Sequence, residues 1–352
     1  MSLADPARLR IRHLDLDDSA GCARWDAAVR AHPEATVFHL TAWSRAVADA
    51  YGHRVWMLYA ERGGTIVGLL PLTLINSLLF GKRLISTAFA VYGGPLADDP
   101  ETHAALDAEA VDIQSSCGAD ALEYRNRSRL RPDWPGKTDV YATFRKPVDP
   151  DSEVNMLSLP RKRRAMVRKG QAADLRVEEV SRVDRVWLSY AESVRNLGTP
   201  VFPKRWFAAL KQQFGDACVL HLVFKDQDVH AGGLSLVFRD ELHFFYFGGT
   251  REGREWAVND FLFWSVLEAA RTRGLKLFDM GRSKVGTGAY DFKVNWGVTP
   301  EPLAYEFHLA PGARMPDMNP NSPKYQRFVQ MWSRLPLEIA NIAGPLLARS
   351  LG

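Results

Sequence analysis

The chain has 352 residues, 46% of them hydrophobic and 24% charged, and a net charge of +4. That balance is ordinary for a globular protein with room for two domains, and a sum of charge this small excludes any argument for nucleic-acid binding from net charge alone. The three cysteines, Cys22, Cys117 and Cys218, are scattered and lack a C-x-x-C pair, which excludes a disulfide framework or a zinc site of usual spacing and fits a reducing compartment.

The N-terminal stretch MSLADPARLRIRHLDLDD has no apolar h-region, so no signal peptide is expected. A hairpin follows in WMLYAERGGTIVGLLPL, turning at Gly63-Gly64. The longest apolar run, Val67 to Gly81, falls short of the ~20 residues of a spanning helix. It also holds Pro71 and Asn76, and reads as buried strands. A helical stretch ends at Gly118. Next comes SLPRKRRAMVRKGQAADL, a helix expected to start at Pro160 and end near Gly170. Six of the nine residues from Arg161 to Lys169 are basic and none is acidic. A second hairpin turns near Asp226 to Asp228, and a third strand, HFFYF, ends at Gly248. The following helix is expected from about Arg254 to Arg273, with Val258, Phe261, Leu262, Ser265, Val266 and Ala269 near helical period and Gly274 past its end. The strand LKLFDM and the segment GTGAYDFKVNWG come next. A loop-like NPNSPKYQ then leads to a tail in which Leu335, Ile339, Ile342 and Leu346 share one helical face.

Three landmarks recur at a steady offset. Gly93-Gly94 and Gly248-Gly249 lie 155 residues apart (248 − 93), Gly118 and Gly274 lie 156 apart (274 − 118), and Arg127-Ser128 and Arg282-Ser283 again lie 155 apart (282 − 127). This predicts a duplicated domain of the mixed α/β (α+β) class, each copy a central mixed sheet flanked by helices. The expected organisation is a domain over 1–150, a basic linker helix over 151–175, a second domain over 176–312 and a tail over 313–352.

Several constellations carry possible chemistry. Arg161, Arg164 and Arg168 fall on one face of the basic helix with Arg163 beside them, a face suited to phosphates of RNA, a nucleotide-sugar or lipid headgroups; the alternative is a solvated helix. In GTGAYDFKVNWG, a helix would put Phe292 and Trp296 on one face and Tyr290 and Lys293 on another. Gly286 and Gly288 leave the preceding backbone open to anions. An ammonium fixed there can stabilise an acyl-transfer oxyanion; alternatively Lys293 snorkels to water or pairs with Asp291 or Asp279. Asp279 ends a strand beside a glycine, a common place for a functional carboxylate, and can equally anchor Arg282 or Lys284. His221, His230 and His243 lie on three successive strands, and a structural role is the favoured reading. The tail's apolar stripe either packs on a domain or lies in a membrane interface. No catalytic triad, metal-ligand spacing or Walker-type loop is present.

The run GLKLFDMGRSKVGTGAYDFKVNWG, from Gly274 to Gly297, resembles the carboxy-terminal signature of the FemAB family, whose members are built from two GNAT-like domains. LPRKRRAMVRKG, RNLGTPVFPKRWF and NPNSPKY look like the subgroup associated with PEP-CTERM/exosortase exopolysaccharide loci. The resemblance implies tandem GNAT domains and metal-free acyl transfer. In Fem-type enzymes the acyl group passes from an aminoacyl-tRNA to an amine of a peptidoglycan precursor. It implies Phe292 and Lys293 at the transfer centre; from the residues themselves, Tyr290 and Asp279 are weaker candidates for orienting groups or proton carriers. Arg161, Arg163, Arg164, Lys204, Arg205 and Arg282 are the candidates for holding phosphates of donor or acceptor. The expected donor is aminoacyl-tRNA or acyl-CoA, and no cofactor is expected to stay bound. The expected acceptor is a glycan or peptidoglycan-type precursor, and the expected location is the cytoplasm, at the inner membrane surface if the tail makes a peripheral contact. One departure bears on the donor: CoA-dependent GNAT enzymes cradle the pyrophosphate with [Q/R]-x-x-G-x-[G/A], whereas the matching position here reads GGTREGREW.

Overall fold

A computed structural model of the protein describes residues 8–77, 81–315, 323–350 and 352. The chain opens with β1 (Arg10–Leu14), α1 (Ser19–Ala31), α2 (Thr41–Tyr51), β2 (Val55–Arg62), β3 (Thr65–Ser77), β4 (Gly81–Ser86), β5 (Leu96–Ala97), α3 (Pro100–Cys117), β6 (Ala121–Asn126) and β7 (Gly136–Lys137). It continues through β8 (Tyr141–Pro147), α4 (Ser152–Ser158), α5 (Arg161–Ala172), β9 (Arg176–Val180), α6 (Asp184–Asn196), α7 (Lys204–Phe214), β10 (Cys218–Lys225), β11 (Asp228–Phe238) and β12 (Glu241–Gly249). Then come α8 (Val258–Thr272), β13 (Leu277–Asp279), β14 (Ser283–Lys284), α9 (Gly288–Asn295), β15 (Pro300–Pro302), β16 (Ala304–Leu309), α10 (Pro323–Trp332) and α11 (Leu337–Ala348).

The first unit is built on a sheet of order β1-β2-β3-β4-β6-β16-β7, with β5 on β3. Its β2–β3 hairpin turns at Gly63-Gly64 as the sequence predicts. The apolar run beginning at Val67 is β3 as far as Ser77; residues 78–80 lie outside the described residues. Pro71 is tolerated in this interior strand because pairing with β5 ends at Leu69 and pairing with β4 starts at Leu72, so no partner on that side needs its missing N–H. Asp99 caps α3, Pro100 fills its first turn and Gly118 ends it at φ +63. This helix connects the parallel strands β4 and β6.

The second unit repeats the plan around β14-β8-β13-β12-β11-β10-β9, with β15 on β8. The β10–β11 hairpin lies where predicted, and α8 connects the parallel strands β12 and β13. The preceding residues Glu252–Trp256 form a 3-10 turn, so α8 starts four residues after the expected Arg254. Of the predicted stripe Val258, Phe261, Leu262 and Val266 are buried and Ser265 and Ala269 half-buried; Phe263, Trp264 and Leu267 are buried too, because α8 packs on the sheet with one face and on α5 with another.

Two boundaries move. The first unit comprises 1–138, 303–317 and 350–352, and the second 139–302 and 318–349. The ladders explain this: β8 pairs with β13 (Asp279↔Arg145), so the first boundary precedes it rather than falling at 150. β16 pairs with β6 (Ala304↔Asn126), which removes it from the span expected for the second domain. The basic helix α5 is no linker. Its Val167 and Gly170 are buried against α8, and α10 and α11 belong to the second unit. The loop-like NPNS at 319–322 lies outside the described residues.

Gly170 sits inside α5 instead of ending it. An ideal Cβ there would come within 2.7 Å of Phe261 Cβ on α8. Gly170→Ala is therefore expected to destabilise the protein by about 1–3 kcal/mol, through forced separation of two packed helices, despite alanine's better helix propensity. Urea unfolding checks this, and an unchanged or raised midpoint would contradict the close approach.

Candidate active site

The site of interest lies in the second unit, where β12 and β13 part. Their parallel ladder runs from Glu241↔Leu277 to His243↔Asp279, after which β13 ends while β12 continues to Gly249. A β-bulge at Phe245 lets Phe244 stay under α8 while Tyr246 turns to the opposite face. Tyr246 accepts there from Trp206 Nε1 at 3.0 Å. Beyond β13 the chain turns at Gly281, whose φ is +70. An ideal Cβ on Gly281 would lie 2.6 Å from Phe245 Cβ, so both conformation and space require glycine.

This turn is tied to Asp279 and Lys293. Asp279, 1% exposed, accepts from the Gly281 N–H (2.7 Å) and from Thr143 Oγ1 (3.2 Å) with its Oδ1. Its Oδ2 faces His243 Nδ1 at 3.7 Å and Arg145 Nε at 4.0 Å. The Gly281 carbonyl in turn accepts from Lys293 Nζ at 2.8 Å, and the Arg282 carbonyl does so at 3.2 Å. Asp279 is thus linked to Lys293 through Gly281, whose N–H and C=O they respectively engage.

Lys293 is 3% exposed and is the buried residue of α9. It neither snorkels nor sits on the exposed Asp291. Its ammonium lies 5.4 Å from the centroid of the Phe144 ring. Burial pulls its pKa down to about 7, and the negative charge of Asp279 opposes the shift. The helical spacing expected for α9 is realised. Tyr290 meets the same Phe144 edge-on at 5.3 Å, while Phe292 and Trp296 both pack on Phe263, at 5.0 and 5.4 Å. Thr287 caps this short helix by accepting from the Tyr290 N–H.

The basic residues divide. Arg163 turns inward, donating to both oxygens of the largely buried Asp260 (3.1 and 3.4 Å) and stacking over Phe292 at 5.4 Å. Trp296 Nε1 donates to the same carboxylate at 2.9 Å. Arg164 turns back to the carbonyls of Leu157 and Leu159, which close α4. Both guanidinium groups are thus engaged within the second unit, Arg163 on Asp260 and Arg164 on the end of α4. Arg161, Lys162, Arg168 and Lys169 remain exposed with no ion pair among the described residues. Lys204 pairs with Asp184 at 3.0 Å and Arg205 is exposed beside it on α7. Arg282 is half-buried, its guanidinium 4.8 Å from the Tyr141 ring centroid.

The three strand histidines do not converge. His221 stands opposite Gly233, with Glu179 3.7 Å away, and burial pulls its pKa down to about 4. His230 touches Thr250 Oγ1 and Trp256. His243 is fully buried between Asp279 and Glu241, and burial lowers its pKa. Sequence reading missed Phe144, Thr143 and Arg145. All three come from β8, outside the repeated segment, and no local pattern connects them to Lys293. It also missed Asp260, whose only signal is a carboxylate set just before the apolar run FLFW in α8.

Residues 158–294 match the family model described as the acetyltransferase (GNAT) domain. No curated protein matches the chain. Among solved structures, that of FemX is similar at a TM-score of 0.65 and 16% identity, covering 91% of this chain and 100% of that one. A tandem GNAT protein from the clavulanic acid biosynthesis pathway is similar at 0.57 and 15%, covering 88% and 100%. The C-terminal domain of a putative lysylphosphatidylglycerol synthetase from Agrobacterium fabrum is similar at 0.55 and 15%, covering 83% and 93%. These likenesses establish the fold: two GNAT-like units in one chain.

In CoA-dependent GNAT enzymes the donor's diphosphate sits on backbone amides between the splayed strand and the next helix. Here the Arg251 N–H donates to Glu192 Oε1 at 3.0 Å and the Gly253 N–H to Thr250 Oγ1 at 3.1 Å. Glu252 and Glu255 adjoin them. With two of its amides already engaged, and with Arg251 and Arg254 offset by Glu252 and Glu255, this segment is a poor cradle for a diphosphate.

Proposed function

We propose that this protein is an acyltransferase of the Fem type, moving an aminoacyl or other acyl group from a donor other than acyl-CoA to an amine or hydroxyl of a cell-envelope or exopolysaccharide precursor. The observation that carries the reading is Lys293, an ammonium buried on α9 and aimed at the turn where β12 and β13 part. Two of its N–H groups are spent on the Gly281 and Arg282 carbonyls. The third makes no hydrogen bond among the described residues, and in this reading it is the one that meets an oxyanion.

In this reading the acceptor nucleophile attacks the acyl carbonyl carbon and the carbonyl oxygen gathers negative charge. Lys293 donates to that oxygen, and low dielectric around it strengthens the interaction. Collapse of the intermediate restores the carbonyl and expels the donor's oxygen, which leaves with the proton that the acceptor amine or hydroxyl gives up. Phe292 and Trp296, locked on Phe263, fix α9 and so aim the lysine. The exposed face of Arg161, Lys162, Arg168 and Lys169 is the part of the second unit suited to a polyanionic donor such as tRNA. The sequence match to an acetyltransferase domain favours a second reading, an acyl-CoA-dependent enzyme acting on the same acceptors.

Mass spectrometry of envelope glycans and their precursors, from cells with and without the protein, tests the proposal. The expected result is a precursor that gains the mass of one acyl or aminoacyl group only when the protein is present. Identical spectra would overturn it. Calorimetric titration with CoA separates the two donors: no saturable heat is expected, and saturable binding would establish the second reading instead.

A further inference from the structure

The C-terminal helix α11 is built with its large residues outward. Ala340, Gly344 and Ala348, four residues apart, are its buried residues, and the helix lies against α6. An ideal Cβ on Gly344 would come within 2.9 Å of Val201 Cγ1, so the inner face has room only for small residues. On the outer side Ile339 is 51% exposed, and Ile342 and Leu346 are each 74% exposed. Their i, i+3, i+7 spacing places the three on one helix face. Met331 on α10 is also exposed. Single exposed aliphatics are ordinary on a protein surface, whereas a row of three on one helix face marks an interaction surface.

Charge identifies the partner. Arg327, Arg334 and Arg349 are exposed in α10, the connecting turn and the end of α11, while Glu338 is the one acidic residue from 323 to 350. No helix among the described residues is long and apolar enough to cross a membrane. An apolar stripe on a helix too short to span, in a segment whose exposed charges are mostly arginine, has the form of an interfacial helix. A second copy of the chain fits less well, because a two-fold contact through this face would bring like-charged arginines together.

We propose that α11 docks the protein on an anionic membrane surface, with Ile339, Ile342 and Leu346 entering the headgroup–acyl boundary and Arg327 and Arg334 meeting lipid phosphates. This inference rests on the surface alone and is independent of the transfer chemistry.

Co-sedimentation of the full chain with vesicles tests it. Binding is expected to vesicles of phosphatidylcholine mixed with phosphatidylglycerol, to weaken in high salt, and to be slight with phosphatidylcholine alone. The double variant Ile342→Glu/Leu346→Glu replaces exposed side chains and is expected to keep its thermal melt while losing roughly ten-fold or more in vesicle partition. The variant Arg327→Glu/Arg334→Glu is expected to lose the salt-sensitive part of binding. Wild-type protein that stays in the supernatant with anionic vesicles would overturn the proposal. So would a wild type that forms dimers through this face, dispersed by Ile342→Glu/Leu346→Glu, without binding vesicles.

Discussion

A Lys293→Met variant is expected to fold and to lose about 10²-fold or more in kcat for acyl transfer, with a smaller change in KM. The magnitude is that of removing a main oxyanion donor, and the selective fall in kcat follows because the developing charge exists only in the transition state. Methionine keeps most of the volume against Phe144, so the cavity penalty is small. The pH dependence has a defined sign. Burial sets the Lys293 pKa at about 7, so the ammonium needed for the oxyanion is present below pH 7 and is lost above it. The lysine-dependent rate should therefore be flat in acid and fall with rising pH, opposite to the profile of a lysine acting as general base. Stability follows the same linkage. Between pH 7 and the ordinary lysine value of 10.5 the unfolded chain holds a proton that the folded chain has released. Unfolding free energy thus rises across that window, by at most about 1.4 kcal/mol per pH unit, and Lys293→Met removes the rise. A folded variant with an unchanged rate would sink the proposed role. A rate that climbs through pH 7 would replace the oxyanion role with a base.

The duplicated plan was legible in the sequence because glycine landmarks record backbone requirements. Gly118 and Gly274 close α3 and α8 at positive φ, and each follows the helix that connects a parallel pair of strands. The faces of α9 were legible for a similar reason: helical spacing alone brings Tyr290 and Lys293 to one ring and Phe292 and Trp296 to another. What spacing could not supply was depth. Nothing local distinguishes a lysine that snorkels from one held by the carbonyls of Gly281 and Arg282, because those acceptors exist only once β13 has turned. The exchange of β8 and β16 between the sheets was equally hidden. Strand partners are chosen by long-range ladders, and neither YATFRKP nor AYEFHL states which sheet it will join.

The basic helix α5 shows the same limit and gives the second large effect. Read as a run, its cations form one face; folded, they do two different jobs. Arg163→Ala is expected to destabilise the protein by about 3–5 kcal/mol, because it leaves Asp260 buried without its counter-charge and strips the cation from the Phe292 ring. Arg161→Ala, at a solvated position two residues earlier, should change stability by no more than about 0.5 kcal/mol. If α5 meets a polyanionic donor, Arg161→Ala should instead weaken that binding and reduce its dependence on salt. Urea unfolding and RNA-binding titrations on the two variants separate these roles. Arg163→Met combined with Asp260→Leu should recover much of the loss of Arg163→Ala, since the penalty comes from an unpaired charge rather than from a missing attraction. The recovery will be incomplete, because Trp296 Nε1 then loses its acceptor and α9, which carries Lys293, loses one of its anchors. Equal stability of Arg163→Ala and Arg161→Ala would refute the inward placement of Arg163 and return it to the phosphate-binding face.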